Sequence, residues 1–123
     1  MPRRLAFDDT RARLLAVMPA LDRDEVAPAD DIHLHEFPGW MAWFGAVRTG
    51  RELWLWLAPA HADADATMGQ AVLEVPGGRY LVESYDVEAG AWVARESVLA
   101  PPLVIGVPRR PGAMVLRVTR TAA

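Results

Sequence analysis

The periodicity of the apolar residues changes once along this chain, near residue 31, and this change constrains the fold more than any other feature. Before it, four apolar residues recur at the spacings of three and four that one face of an amphipathic helix requires. They are Leu14, Leu15, Met18 and Leu21. Asp8 and Asp9 suit the positive end of a helix dipole, so we predict a helix over residues 8–21 and a polar linker over 22–31. After residue 31 the apolar residues alternate with period 2, which is typical of strands.

Eight short segments in the second part of the chain have the composition of strands and are separated by turn residues. They span residues 32–37, 40–47, 52–58, 70–75, 79–86, 91–98, 103–107 and 113–119. Thr49-Gly50 and Pro76-Gly77-Gly78 predict two hairpins among them. Such a run of short strands favours an antiparallel sandwich or barrel. A length of 123 residues is that of one domain, so we predict a single mainly β domain over residues 1–123.

The composition argues against several classes of function. The chain has no Cys, so disulfides and thiolate metal sites are excluded. The formal net charge is -3 and the arginines are scattered, so we expect no nucleic-acid partner. No run approaches the roughly 18 apolar residues of a membrane span, so we expect no membrane partner either. Asp8 and Asp9 interrupt any apolar start, which argues against a secretory signal; the chain is either cytoplasmic, the default, or a domain of a longer protein.

Tyr80 lies at the start of a predicted strand, just after a glycine turn and two residues before Val82. In immunoglobulin-like sandwiches a Tyr in this place closes a corner by donating its hydroxyl to the upstream backbone. The alternative is an ordinary aromatic residue of a strand. The first interpretation predicts a structural role for Tyr80.

A wider pattern surrounds Tyr80: a Gly-x-Tyr-x-Val strand, an aromatic-Asp turn that ends in Gly, a return strand and two apolar strands. Its residues are Gly78, Tyr80, Val82, Tyr85, Asp86, Gly90, Val104-Ile105 and Val115-Leu116. Together with the helix and Pro28-Ala29-Asp30, this pattern resembles the β-sandwich domain that follows the barrel in many glycoside hydrolases. The resemblance implies an antiparallel immunoglobulin-like β-sandwich of about eight strands with one N-terminal helix, in which Asp86 and Gly90 are structural too. It also implies a non-catalytic accessory module that docks on a catalytic barrel domain or self-associates, although no barrel is present in this chain.

Four of the five tryptophans lie close together and are our candidates for a ligand or partner surface. They are Trp40, Trp43, Trp54 and Trp56. Trp54 and Trp56 are two residues apart and share one face of a strand, while the three leucines that alternate with them share the other. Either this strand is covered on both sides, with the N-terminal helix as a natural cover, or the tryptophans form an exposed platform. A platform would stack on sugar rings, which makes a carbohydrate-binding module our second hypothesis.

His33 and His35 are also two residues apart, so their rings point to the same side of a strand. With Glu36 or the distant His61 they would supply three metal ligands, and a small His-dependent metal-binding enzyme is our third hypothesis. The alternative, a solvated pair of histidines, is the one we favour. No nucleophile motif or other catalytic pattern is present in the sequence, so we predict no catalytic residue and no cofactor.

Overall fold

The computed structural model describes residues 3–38, 40–59, 68–108 and 110–122. In this part of the chain one α-helix, α1 (Phe7–Val17), and a short 3-10 helix (Arg23–Glu25) accompany ten strands. The strands are β1 (Arg3–Arg4), β2 (Val26–Pro28), β3 (Leu34–Glu36), β4 (Met41–Thr49), β5 (Glu52–Pro59), β6 (Met68–Leu73), β7 (Gly78–Asp86), β8 (Ala91–Ala100), β9 (Leu103–Pro108) and β10 (Met114–Ala122). None of the helices in these ranges has the length and apolar character that a membrane crossing needs.

The strands form two sheets that pack as a sandwich. The large sheet has the order β1-β4-β5-β10-β7-β8, with β2 also pairing with β4, and the small sheet has the order β3-β6-β9. Neighbouring strands are antiparallel except β1, which pairs with β4 in parallel. The prediction of a mainly β chain with one N-terminal helix is confirmed, and the eight predicted strands correspond to β3–β10.

The N-terminal third differs from the prediction in two respects. Helix α1 ends at Val17 rather than at residue 21, because Pro19 follows and cannot continue a helix. The segment predicted as a linker contains the 3-10 helix and β2, whose Val26 pairs with Thr49 of β4. A strand pairing here covers part of the β4 edge, which would otherwise present free backbone groups.

Two hydrophobic clusters lie on opposite faces of the large sheet. The inner cluster fills the space between the sheets and includes Leu55, Leu57, Ile105 and Leu116, all fully buried. The outer cluster combines alternate residues of the same strands, Trp54, Trp56 and Val115 among them, with Leu14 of α1. Because successive side chains of a strand point to opposite faces, the alternation of Leu and Trp along β5 supplies both clusters.

Gly45 of β4 sets how closely α1 approaches the sheet. A Cβ atom at this position would lie 2.8 Å from Cγ2 of Thr10, a contact that real Cβ atoms do not make. Thr10 is fully buried, and its hydroxyl donates to the Ala6 carbonyl at 3.0 Å. The helix therefore rests directly on the backbone of β4.

Candidate functional site

Helix α1 covers two of the four candidate tryptophans. Trp54 is 2% exposed and Trp56 is 6% exposed, both on the outer face of the large sheet and packed with Leu14. Nε1 of Trp54 donates to Oγ1 of Thr49 at 3.1 Å. A third candidate, Trp40, is buried in the inner cluster. These three side chains are part of the packing and offer no flat surface to a ligand.

Trp43 is the one candidate of the four that lies at the surface, with 39% of its area exposed. It pairs with Ala58 across β4 and β5, and a groove of about 370 Å³ separates these residues from Asp9 and Arg13 of α1. The guanidinium carbon of Arg3 lies 5.7 Å from the centre of the Trp43 ring. Trp43 therefore lies beside a small groove, and none of the other three candidate tryptophans is exposed beside it.

A second exposed aromatic group lies on β8, the strand at the opposite edge of the large sheet from β1. Trp92 is 42% exposed, and its ring meets that of Tyr85 edge to face, with centres 5.2 Å apart. Helix α1 packs on β4 and β5, so this side of the outer face has no helical cover from it. We use the term open half for the outward-facing residues of β7 and β8, together with Arg117 of β10.

Arg117 connects the open half with the helix-covered tryptophans. Its guanidinium carbon lies 4.6 Å from the ring centre of Trp92 and 5.5 Å from that of Trp54, a distance at which a cation is attracted to an aromatic face. Its Nη2 donates to Oε1 of Glu83 at 2.8 Å, and its Nε lies 3.6 Å from Oε2 of Glu52. Two carboxylates thus lie within ion-pair distance of this arginine.

A β-bulge places the exposed apolar residues of β8 on one face. Tyr85 pairs with Trp92 while Ser84 pairs with Ala94, so Val93 is an extra residue in the ladder. Trp92 and Leu99 would point to opposite faces in a regular strand, but the bulge brings both to the outer face. Leu99 is 63% exposed, the highest value for a large hydrophobic residue in the described ranges.

Sequence reasoning missed Trp92 as a surface residue. The signal was present, because Arg95, Glu96 and Ser97 put polar side chains on both faces of its strand. A strand that is polar on both faces is typical of a sheet edge, and β8 is the last strand of the large sheet. An aromatic residue on such a strand has little to bury it.

The three residues predicted to be structural each make a hydrogen bond in or beside the β7–β8 turn region. The Tyr80 hydroxyl donates to the Pro76 carbonyl at 2.8 Å, the bond to the upstream backbone that its position predicts. Asp86 is buried, and its Oδ1 accepts from the Ala89 N–H at 3.1 Å. Gly90 has a φ of +66°, a value that favours glycine, and its N–H donates to the Asp86 carbonyl at 2.8 Å.

The histidines form no metal centre in the described part of the chain. His33 and His35 are exposed, and Nε2 of His35 lies 3.2 Å from Oε2 of Glu74. His61 lies outside the described residues. Among those described, no three His, Asp or Glu side chains are grouped so as to hold a metal ion.

The chain was compared with family models, curated proteins and solved structures, and none of the three comparisons gave a match. The fold and the open half are therefore the basis for a functional proposal.

Proposed function

We propose that this chain is a non-catalytic interaction module with an immunoglobulin-like β-sandwich fold, and that it self-associates through the open half. The observation that carries the proposal is the pair of exposed apolar side chains, Trp92 and Leu99, on one face of an uncovered strand. Exposed aromatic and aliphatic groups rimmed by polar residues are typical of protein interfaces.

The placement of these two side chains favours a second copy of the chain as the partner. They lie near opposite ends of β8 and on the same face, so a two-fold axis above the middle of the strand would set Trp92 on Leu99 of the second copy, and the reverse. Such reciprocal contacts are the property of a two-fold dimer interface. Arg117 is already paired with Glu83 and Glu52, so burying it does not leave its guanidinium without a carboxylate partner.

The kind of module follows from the resemblance to the sandwich domains of glycoside hydrolases. The Tyr80 hydrogen bond and the buried Asp86 turn support this assignment, because both fall at the positions that the pattern marks as structural. On this proposal the domain acts by packing against a partner through the open half. The alternative to a second copy of the chain as that partner is a catalytic barrel domain.

Sedimentation equilibrium of the wild type and of a Trp92→Ser/Leu99→Ser variant tests the proposal. We expect a dimer for the wild type and a folded monomer for the variant, because the variant lacks both apolar contacts. Trp43→Ser is the matched control: it removes an equally exposed tryptophan outside the open half, and we expect it to stay dimeric. A wild type that remains monomeric up to about 1 mM would overturn self-association.

A carbohydrate-binding module is the competing outcome of the same experiment. Three of its four predicted platform residues are buried, which leaves Trp43 as the residue to test. If the wild type is monomeric and oligosaccharides change its tryptophan fluorescence, and if Trp43→Ser removes that change, the carbohydrate hypothesis replaces self-association.

A further inference from the structure

One end of the sandwich has a cleft that leads into the space between the sheets. It lies where the β4–β5 turn, the segment before β7 and the last residues of β10 meet. The inner part measures about 180 Å³, and it adjoins an outer depression of about 420 Å³. Arg51 and Arg120 line both parts, so the two volumes share one rim.

The floor of the cleft is the end of the inner cluster. Its residues are Ile32, Leu53, Val75, Tyr80 and Val118. The Tyr80 hydroxyl already donates to the Pro76 carbonyl. Tyr80 therefore contributes its aromatic ring to the floor, and its hydroxyl hydrogen is not available to a ligand. An apolar group of a ligand entering the cleft would replace water against this surface.

Some of the arginines at the rim of the cleft are paired with a carboxylate and others are not. Arg48 is paired with Asp31, Nη2 to Oδ2 at 2.9 Å, and Glu52 is paired with Arg117. Among the residues that the structure describes, Arg51 and Arg120 have no carboxylate partner. Two guanidinium groups without a carboxylate partner among the described residues thus share the rim, although the chain as a whole has a formal net charge of -3.

Arg120 projects toward the cleft and contacts the backbone at its edge. It stands opposite Tyr80 in the β7–β10 ladder, so its side chain leaves the sheet on the core side at the point where the core ends. Its Nη2 donates to the Gly77 carbonyl. A Cβ atom on Gly78 would lie 2.9 Å from Nε of Arg120, so the glycine makes room for this side chain.

We propose that this cleft binds a carboxylate joined to a short apolar group. The carboxylate accepts hydrogen bonds from Arg51 and Arg120, and the apolar group lies on Leu53, Val75 and Val118. Guanidinium groups bind carboxylates through geometrically matched, charge-assisted hydrogen bonds. The apolar floor selects against small anions that have no hydrocarbon part. A free carboxylic acid and the C-terminus of a peptide share this chemistry, and the site does not depend on the open half.

The test is an NMR titration of the full chain with hexanoate, observed at the backbone amides of Gly50 and Gly77. We expect saturable shifts at these two amides. Arg51→Gln and Arg120→Gln should each weaken binding by about tenfold, because each removes one charge-assisted contact. Arg51 is exposed in a turn, so its variant folds even if Arg120→Gln does not. Arg95→Gln, which removes the same charge from β8, should bind hexanoate like the wild type.

Four further probes separate the parts of the proposal. Acetate and hexan-1-ol each lack one half of the ligand, and both should bind at least about tenfold more weakly than hexanoate. Tighter binding of N-acetyl-Ala-Val than of hexanoate assigns the site to peptide C-termini, and the reverse order assigns it to free acids. The proposal is overturned if inorganic phosphate shifts Gly50 and Gly77 as strongly as hexanoate does, or if Arg51→Gln binds hexanoate unchanged.

Discussion

Two tryptophans on the outer face of β5 differ in a single polar contact. Nε1 of Trp54 donates to Thr49, whereas Nε1 of Trp56 is buried and has no hydrogen-bond partner in the described part of the chain. Each ring also faces an arginine, Arg117 at 5.5 Å from Trp54 and Arg13 at 5.9 Å from Trp56. The pair isolates the contribution of one buried indole N–H to the stability of the fold.

Replacing each of these tryptophans by Phe should give unequal losses of stability. Trp54→Phe breaks a buried hydrogen bond and removes the donor to Oγ1 of Thr49. Trp56→Phe removes an N–H that has no acceptor among the described residues. We expect Trp54→Phe to cost about 1–2 kcal/mol more in the free energy of unfolding than Trp56→Phe. Urea unfolding followed by circular dichroism measures both, and equal losses would show that the Trp54–Thr49 contact contributes nothing.

The ion pair between Arg48 and Asp31 changes the pKa of the Asp31 carboxyl. Hydrogen bonds from Arg48 hold the pKa of the Asp31 carboxyl below its ordinary value of 3.8. Since this pKa is lower in the folded protein, the contact stabilises the fold above pH 3.8 and is lost as the pH falls through the folded-state pKa. Asp31 is exposed, so the contribution to stability is small.

We expect Arg48→Gln to raise the pKa of Asp31 toward its ordinary value. The variant should also lose less stability than the wild type as the pH falls below about 4. A carboxyl-carbon NMR titration gives the pKa directly, with Arg95→Gln as the control that removes an arginine elsewhere. An unchanged pKa in Arg48→Gln would mean that the two side chains do not form this pair in solution.

Among the helices and strands, those with a periodic pattern of apolar residues could be predicted from the sequence. Those that depend on pairing with a neighbouring strand could not. The alternation of Leu and Trp in β5 indicated a strand with two apolar faces, and both faces are buried. β1 and β2 have two and three residues, too few for any periodicity, and they form because the edge of β4 is available to them. The bulge at Val93 depends on its partner strand, so the shared face of Trp92 and Leu99 could not be read from spacing.

Gly45 gives a prediction about how α1 docks. Gly45→Ala would push a methyl group into Thr10, so the helix must lift from the sheet. We expect a loss of about 1–3 kcal/mol in the free energy of unfolding. Thermal unfolding measures it, and Thr10→Ala in the same chain should recover part of the loss because Cγ2 and Oγ1 of Thr10 are gone. Strictly additive losses in the double variant would contradict the direct contact between these residues.

For the whole molecule, the large sheet is the central layer between the small sheet on one side and α1 on the other. Leu55 and Leu116 face the small sheet, while Trp54, Trp56 and Val115 of the same two strands face α1 and its neighbours. Beneath the helix, β5 and β10 pair with each other along six residue positions. The helix is thus a cover for an aromatic surface that the rest of the sandwich does not bury.

Leu14→Arg tests whether this cover is separable from the sandwich. Leu14 is 1% exposed, so an arginine there must leave the outer cluster and take α1 with it. We expect the tryptophan fluorescence to shift to longer wavelength as Trp54 and Trp56 meet water, while the β-sheet signal in circular dichroism persists. Leu15→Arg, on a half-buried neighbouring position of the same helix, should leave both signals nearer those of the wild type. Loss of the β-sheet signal in Leu14→Arg would mean that the inner cluster alone cannot hold the sandwich, and the helix would then be an integral third layer of the fold.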